Sequence, residues 1–187
     1  AGGLASVRAA IAVDEVRSSL VEIPGRRCEA GQRWTWDGVN FEVLHPSAKA
    51  YEGASKTNHL SCVLMVEAGG RRMLLTSDIE AEDEQEIMMR YAGKLAADVL
   101  LVPHHGSRTS STAAFIAAVG AKEAVIPVGY RNRFGHPKAE ILGRYETTAT
   151  RVWRNDRDGA ISVRLASDAI EIDAWRQKNR RYWYSPE

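Results

Sequence analysis

Residues 99–111 read Val-Leu-Leu-Val-Pro-His-His-Gly-Ser-Arg-Thr-Ser-Ser, and this stretch decides the fold and the chemistry that we expect. The apolar run over 99–102 predicts a buried strand. Two histidines follow directly, at the edge of the sheet where α/β folds place their ligands. Neutral imidazoles suit zinc or manganese. The polar residues that follow lead into a helix predicted over 111–119, capped by Ser110 or Ser111, whose N-terminus favours an anion.

Two β-hairpins are predicted upstream of this stretch. The first joins residues 34–36 to 39–44 through Asp37-Gly38, a dipeptide typical of tight hairpin turns. The second joins 61–67 to 71–76 through a glycine-rich turn. The other predicted elements are helices over 5–12, 80–91 and 137–147 and strands over 21–24, 124–128, 151–154, 159–165 and 169–172. Two hairpins followed by alternating strands and helices predict an α/β fold, a mixed sheet with helices packed outside.

Composition restricts the class of protein. The chain has 187 residues, 44% of them hydrophobic and 26% charged, as expected for one ordinary globular domain. Lysine and arginine total 25 against 24 acidic residues, which excludes a strongly basic nucleic-acid coat. No apolar run is long enough to predict a membrane span. The two cysteines, Cys28 and Cys62, exclude a disulfide framework, although one bridge between them is possible.

Further candidate residues lie at the ends of other predicted strands. Asp78 ends the second hairpin, where it could bind a metal or simply cap the next helix. The segment 58–61 offers Asn58, His59 and Ser61 as ligands or substrate contacts, or is a plain surface loop. His136 opens a helix beside two arginines, which suits phosphate.

Three other polar features favour structural roles. His45 precedes a proline and is interpreted as a turn residue. The segment 156–159 is interpreted as a hairpin turn because Asp-Gly lies between two predicted strands. The basic and aromatic tail over 175–184 could stack on single-stranded nucleic acid, but a solvated or docking tail is the commoner explanation.

Four motifs together resemble a known family. In chain order, the segments 74–80, 97–111, 128–137 and 156–161 closely resemble the C-terminal metallo-β-lactamase-fold domain of the ComEC competence proteins. These proteins form the DNA-uptake channel of transformable bacteria. The resemblance implies an αββα sandwich with a dinuclear site at one edge, occupied by two divalent metals, zinc or manganese. It also implies metal-dependent phosphodiester cleavage, which degrades the DNA strand that does not enter the cell.

The resemblance also assigns roles to residues of this chain. It implies Asp78 as the bridging carboxylate, one of His104 and His105 as a further metal ligand, and His136 as part of the substrate pocket. The substrate-binding residues that we expect are Asn58, Ser61, Ser107 and Asn132. The implied partners are single-stranded DNA and the rest of a bacterial inner-membrane protein, with this domain outside the cytoplasm.

The chain departs from the family pattern in its first half. The family's main ligand motif, His-x-Asp-x-Asp-His, is absent, and Ser77 stands where a glycine is expected before the aspartate. We therefore expect residues 1–173 to form a partial domain that lacks the N-terminal strands, followed by a tail over 174–187. We expect no metal, or one weakly bound metal, little activity of the chain alone, and self-association through an open sheet edge.

Two alternatives to the nuclease hypothesis stay open. The chain could be a non-catalytic DNA-binding or structural module of the uptake channel. It could also belong to a metallo-β-lactamase-fold hydrolase of another ester, because related folds hydrolyse lactams, thioesters and phosphorylcholine esters.

Overall fold

A seven-stranded mixed sheet forms the centre of the computed structural model, which describes residues 3–20, 22–53 and 56–179. Two short pairs of strands complete the β-structure. The strands are β1 (Arg17–Ser18), β2 (Arg26–Arg27), β3 (Arg33–Trp36), β4 (Val39–His45), β5 (Val63–Ala68), β6 (Arg71–Leu75), β7 (Val99–Leu101), β8 (Glu123–Ile126), β9 (Arg151–Arg154), β10 (Ile161–Leu165) and β11 (Ile170–Ala174).

The helices are short and lie mostly between strands. They are α1 (Leu4–Ala10), α2 (Ala50–Gly53), α3 (Ala81–Arg90), α4 (Ala113–Val119), α5 (Ala139–Thr147), α6 (Asn155–Asp158) and α7 (Trp175–Lys178). Two 3-10 turns, Thr57–Leu60 and Pro103–Gly106, carry histidines. Within the described residues, the longest and most apolar helices fall short of what crossing a membrane requires.

Strand pairing in the large sheet changes from antiparallel to parallel at β6, and this change determines where the candidate site lies. Its order is β3-β4-β5-β6-β7-β8-β9, antiparallel from β3 to β6 and parallel from β6 to β9. The carboxyl ends of β6, β7 and β8 therefore meet at one edge, as parallel strands require. The loops that follow these three strands carry the predicted site residues.

The two faces of the sheet bury different partners. Leu74, Leu100 and Ile126 point to the face covered by α3, α4 and α5, and each is at most 1% exposed. Alternate positions such as Val99 and Trp153 point to the other face, where the β10–β11 hairpin covers them. This alternation follows from the two-residue period of a strand.

The predicted α/β class is confirmed. The described residues form a helical layer, the seven-stranded sheet and a two-stranded sheet, stacked in that order. The strands β3 and β9 form the two edges of the large sheet. Self-association through an open edge stays a prediction.

Two predicted helix starts are wrong by a few residues. Helix α4 is capped by Thr112, whose hydroxyl accepts a hydrogen bond from the Phe115 N–H, and not by Ser110 or Ser111. The Ser110 hydroxyl instead donates to the carbonyl of Pro103. Helix α5 begins at Ala139, after Lys138, and not at residue 137. Contacts distant in sequence have displaced the local signals in both places.

Three further local interpretations are wrong. His45 does not form a turn: it ends β4 and is 1% exposed. The Asp-Gly of 158–159 does not join a hairpin, because helix α6 intervenes and β9 and β10 belong to different sheets. The strand predicted over 21–24 is not present at residues 22–24, and Val21 lies outside the described residues. Of the predicted tail, residues 180–187 also lie outside them.

The two cysteines meet in the structure. Cys28 and Cys62 are joined as a disulfide, with their Cα atoms 6.1 Å apart. Cys28 is buried, and Cys62 lies just after the 3-10 turn Thr57–Leu60. The bridge therefore ties the segment before β3 to the loop that carries His59.

Candidate hydrolytic site

Three loops converge at the carboxyl ends of β6, β7 and β8. The first holds Ser77 and Asp78, the second is the turn Pro103–Gly106, and the third runs over residues 127–138. Backbone hydrogen bonds fasten the loops together. The His104 N–H donates to the Ser77 carbonyl at 3.0 Å, and the Lys138 N–H donates to the Gly106 carbonyl at 3.0 Å. The predicted site residues on these loops are thus held by backbone contacts as well as by their own side chains.

The backbone of the first two loops is strained. Ser77, His104 and His105 have φ angles of 53°, 47° and 56°, in the left-handed region that glycine adopts most easily. Such strain is costly and concentrates at functional sites. It also explains why a glycine is expected at position 77, where this chain has serine.

Asp78 and His105 are paired through their side chains. His105 Nε2 lies 3.4 Å from Asp78 Oδ1, and both side chains are about two-fifths exposed. His105 Nδ1 lies 2.5 Å from the Pro127 carbonyl, which can only accept a hydrogen bond, so Nδ1 carries a proton. In the neutral ring, the Nε2 lone pair then faces a carboxylate oxygen. That arrangement suits a cation held between the two atoms.

His104 faces a different carboxylate. Its Nδ1 lies 3.5 Å from Glu80 Oε1 and 3.2 Å from the Thr109 hydroxyl, and this hydroxyl donates to Glu80 at 3.2 Å. Lys56 lies 4.0 Å from the other Glu80 oxygen. Glu80 was not among the predicted site residues. Its position directly after the Asp78 loop, at the start of α3, was the available signal.

His136 joins the cluster from the third loop. Its ring centroid lies 6.2 Å from that of His104, and its Nδ1 is buried without a hydrogen-bond partner among the described residues. Burial lowers the pKa of His136, and Lys138 and the neighbouring histidines lower it further. A neutral imidazole is therefore expected at neutral pH. Asn132, a predicted substrate contact, instead binds the backbone of His136. Its side-chain oxygen accepts the His136 N–H at 3.0 Å, and its amide nitrogen donates to the His136 carbonyl at 2.6 Å.

The segment 58–61 lies beside α3. His59 Nδ1 contacts Asp83 Oδ1 at 2.8 Å, and the His59 carbonyl lies 2.9 Å from His45 Nε2. Ser61 is buried, and the Asn58 carbonyl accepts its N–H. In these contacts His59 faces Asp83 and not Asp78.

A buried network supports the second loop from behind. Glu84 is fully buried and accepts the N–H groups of Ser111 and Thr112 at 2.5 and 2.8 Å. Burial raises the pKa of Glu84 in spite of these hydrogen bonds. Arg144 donates to the Ser111 carbonyl at 2.8 Å. Ser107, a predicted substrate contact, is also buried, and its hydroxyl lies 3.1 Å from that of Thr109.

Comparison with curated proteins identifies the family. The chain is 37% identical to Competence protein ComA of Neisseria gonorrhoeae over 85% of its length, and 41% identical to ComE operon protein 3 of Bacillus subtilis over 67%. It is 34% identical to Recombination protein 2 of Haemophilus influenzae over 84%. The chain belongs to the ComEC family of competence proteins. It covers 22%, 16% and 19% of the lengths of these ComEC-family relatives.

Two other comparisons add little to the ComEC assignment. No family model matches the chain. The structure of a proposed zinc-dependent hydrolase of the metallo-β-lactamase superfamily from Thermotoga maritima aligns with 55% of this chain. The aligned part is 48% of the hydrolase chain. The overlap has 18% identity and a TM-score of 0.32, which is too low to establish a common fold.

The donor atoms fit part of a metal centre of the kind that the ComEC resemblance implies. Asp78 Oδ1 and His105 Nε2 are suitable metal-ligand atoms and lie 3.4 Å apart. His105 Nδ1 has the carbonyl partner that is typical of a ligating histidine. However, no group of three His, Cys, Asp or Glu side chains that could hold a metal occurs among the described residues. Catalytic zinc sites usually have three protein ligands. The described residues of this ComEC-family chain therefore do not form a complete centre.

Proposed function

We propose that this chain is part of a DNA-uptake protein and contributes to a site that hydrolyses phosphodiester bonds of DNA, with metal dependence in the longer protein. The observation that carries the proposal is the close pairing of His105 with Asp78 at an edge where three loops converge. The competence proteins among the relatives support the uptake role. The proposed substrate is the DNA strand that does not enter the cell.

The residues at this edge suit different tasks in phosphodiester cleavage. His105 Nε2 and the Asp78 carboxylate can together hold a cation. His136 stays neutral because its pKa is lowered, so it can donate one hydrogen bond to a phosphate oxygen. The Thr109 hydroxyl, which donates to Glu80, lies 3.2 Å from His104 Nδ1 and thereby orients the remaining ring nitrogen.

The chain alone should have little hydrolase activity. Among the described residues, Asp78 and His105 provide two metal-ligand atoms 3.4 Å apart. This is fewer than the three protein ligands that are usual for catalytic zinc. Zinc or manganese should therefore bind this chain weakly. Calorimetric titration with each metal would measure this, and binding of two ions with micromolar or tighter affinity would contradict it.

A comparison of carboxylate variants tests the nuclease proposal. The longest natural protein that contains this chain is incubated with labelled single-stranded DNA and manganese or zinc, beside Asp78→Ala. We expect the variant to lose about a hundredfold or more in rate. The matched control is Asp168→Ala, an exposed aspartate in the turn between β10 and β11. Equal cleavage by the wild type and Asp78→Ala would end the nuclease assignment.

The same experiment decides the alternative function. The incomplete donor set among the described residues favours a non-catalytic DNA-binding module as the second candidate. Such a module would bind DNA equally well in the wild type and in Asp78→Ala, and no metal would produce cleavage. Retained DNA binding without cleavage in the longest natural protein would therefore support the module.

We also propose that the chain faces the extracytoplasmic side of the inner membrane. The Cys28–Cys62 disulfide supports this location, because disulfides persist in oxidising compartments. Blocking of free thiols in intact cells, followed by reduction and mass analysis, measures the state of the pair. Both thiols free in wild-type cells would contradict the location.

A further inference from the structure

The loop between β8 and α5 carries two exposed aromatic side chains next to the candidate site. Tyr130 is 61% exposed and Phe134 is 60% exposed, although large aromatic side chains are usually well buried. The Phe134 ring lies nearly parallel to that of His136, at an interplanar angle of 18° and a centroid distance of 5.9 Å. His136 in turn neighbours His104. The exposed rings therefore continue the histidine cluster outward.

Two arginines accompany these aromatics. The guanidinium carbon of Arg131 lies 5.2 Å from the Tyr130 ring centroid, and that of Arg133 lies 4.9 Å from the Phe134 centroid. Among the described residues, neither arginine forms an ion pair with a carboxylate. Both cations are therefore available to a polyanion.

The loop is held in shape before any ligand binds. Asn132 bonds both backbone groups of His136, and the Lys138 ammonium donates to the Phe134 carbonyl at 2.6 Å. Arg131 has a left-handed φ of 50°, a strained conformation of the kind found at binding loops. A preformed loop loses little conformational entropy when it binds.

We infer that this loop is a base-stacking platform for single-stranded polynucleotide, with Phe134 and Tyr130 receiving unpaired bases and Arg131 and Arg133 contacting phosphates. Exposed aromatics interleaved with arginines are the feature by which proteins bind single strands without reading sequence. A duplex keeps its bases stacked on one another, so the platform selects unpaired strands. The inference rests on the proposed function, because it names the form of DNA that the site receives.

Binding without cleavage tests the platform directly. The full 187-residue chain is titrated, in the presence of a chelator, against a fluorescent oligo(dT) of about twelve nucleotides. An abasic backbone of equal length and a duplex serve as comparison ligands. We expect the wild type to bind oligo(dT) at least about fivefold more tightly than either.

Variants at Phe134 test whether binding needs an aromatic ring or only an apolar side chain. Phe134→Leu keeps an apolar side chain without a π-face, and we expect it to lose about fivefold or more in affinity for oligo(dT) and nothing for the abasic strand. Phe134→Trp should retain binding. The control is Trp36→Leu. Trp36 is 69% exposed on the edge strand β3, and four strands separate β3 from β8 in the sheet, so this change should have no effect.

The arginines have a separate readout. Arg133→Gln should weaken oligo(dT) and the abasic strand equally and reduce the slope of log affinity against log salt by about 0.7, the contribution of one phosphate contact on a single strand. Since the side chains concerned are exposed, unfolding midpoints should match the wild type. Unchanged oligo(dT) affinity in both Phe134→Leu and Tyr130→Leu would overturn the inference, as would equal losses for duplex and single strand.

The outcome separates this inference from the proposed function. Loss of oligo(dT) binding in Phe134→Leu, together with equal cleavage by the wild type and Asp78→Ala, would support the platform and refute the nuclease. Asp78-dependent cleavage with unchanged oligo(dT) binding in both Phe134→Leu and Tyr130→Leu would refute the platform and support the nuclease.

Discussion

Gly106 joins two of the three loops of the site, and its replacement by alanine should damage both stability and site geometry. Its φ is +78°, and a Cβ at this position would lie 2.6 Å from Pro137 Cβ and 3.1 Å from Pro137 Cα. The Gly106 carbonyl also accepts the Lys138 N–H. The turn that carries His104 and His105 therefore packs directly on the loop that carries His136.

Two costs contribute to the expected loss. A left-handed backbone costs a residue with a Cβ about 1–2 kcal/mol relative to glycine. Overpacking against Pro137, which cannot rotate away, costs about 1–3 kcal/mol more. Gly106→Ala should thus lower the free energy of unfolding by about 2–5 kcal/mol.

Gly93→Ala is a matched control for the first cost. Gly93 has a φ of +71°, and a Cβ there would meet no heavy atom within 4 Å. It should lose only about 1–2 kcal/mol. Urea unfolding followed by tryptophan fluorescence and far-UV circular dichroism measures both variants. Losses that are equal in the two variants would refute the argument that Gly106 is required by contact between the loops.

Three further predictions concern stability. Ser77→Gly should raise the free energy of unfolding by about 1 kcal/mol, because it relieves a φ of 53°; urea unfolding measures it, and a lower value would contradict the strain. Tyr145→Phe should lower it by about 1 kcal/mol, because the buried hydroxyl loses its hydrogen bond to Ser111; calorimetry that shows no change would contradict this. Burial alone would raise the pKa of Asp158, but the hydrogen bonds from the Arg157 side chain and the Arg154 N–H, together with the Arg157 charge, outweigh burial and lower that pKa. This lowered pKa stabilises the folded state above pH 3.8, the pKa of the unfolded chain, and the stabilisation is lost as pH falls through the folded pKa. In Asp158→Asn, the free energy of unfolding should therefore fall less steeply at acid pH than in the wild type.

The elements that sequence predicted well are those decided by local pattern. The Asp37-Gly38 hairpin and helix α3 occur where expected, and the apolar strand predicted over 99–102 is observed as Val99–Leu101. Each follows from periodicity or turn chemistry within a few residues. The convergence of Asp78 with His105 was also predictable, since both follow strands that lie parallel and adjacent.

The errors arise where a distant contact outweighs the local signal. Ser111 is a good helix cap by type, but fully buried Glu84, 27 residues away, takes its N–H and moves the cap to Thr112. His45 resembles a turn residue beside a proline, yet the carbonyl of His59 lies 2.9 Å from its ring and buries it in the core. Composition and spacing hold no information about such pairs.

The start of helix α3 shows why Glu80 and Asp83 escaped notice. Acidic residues in a first helical turn are explained by capping, and the Glu80 N–H does donate to Asp83 at 2.8 Å. The same two carboxylates also face two histidines from separate loops: Glu80 faces His104, and Asp83 faces His59. Residues three apart lie on one side of a helix, so a single turn can orient both imidazoles. A capping pattern that directly follows a strand-end aspartate should therefore be tested as a positioning element, because the helix that it starts is already anchored beside the site.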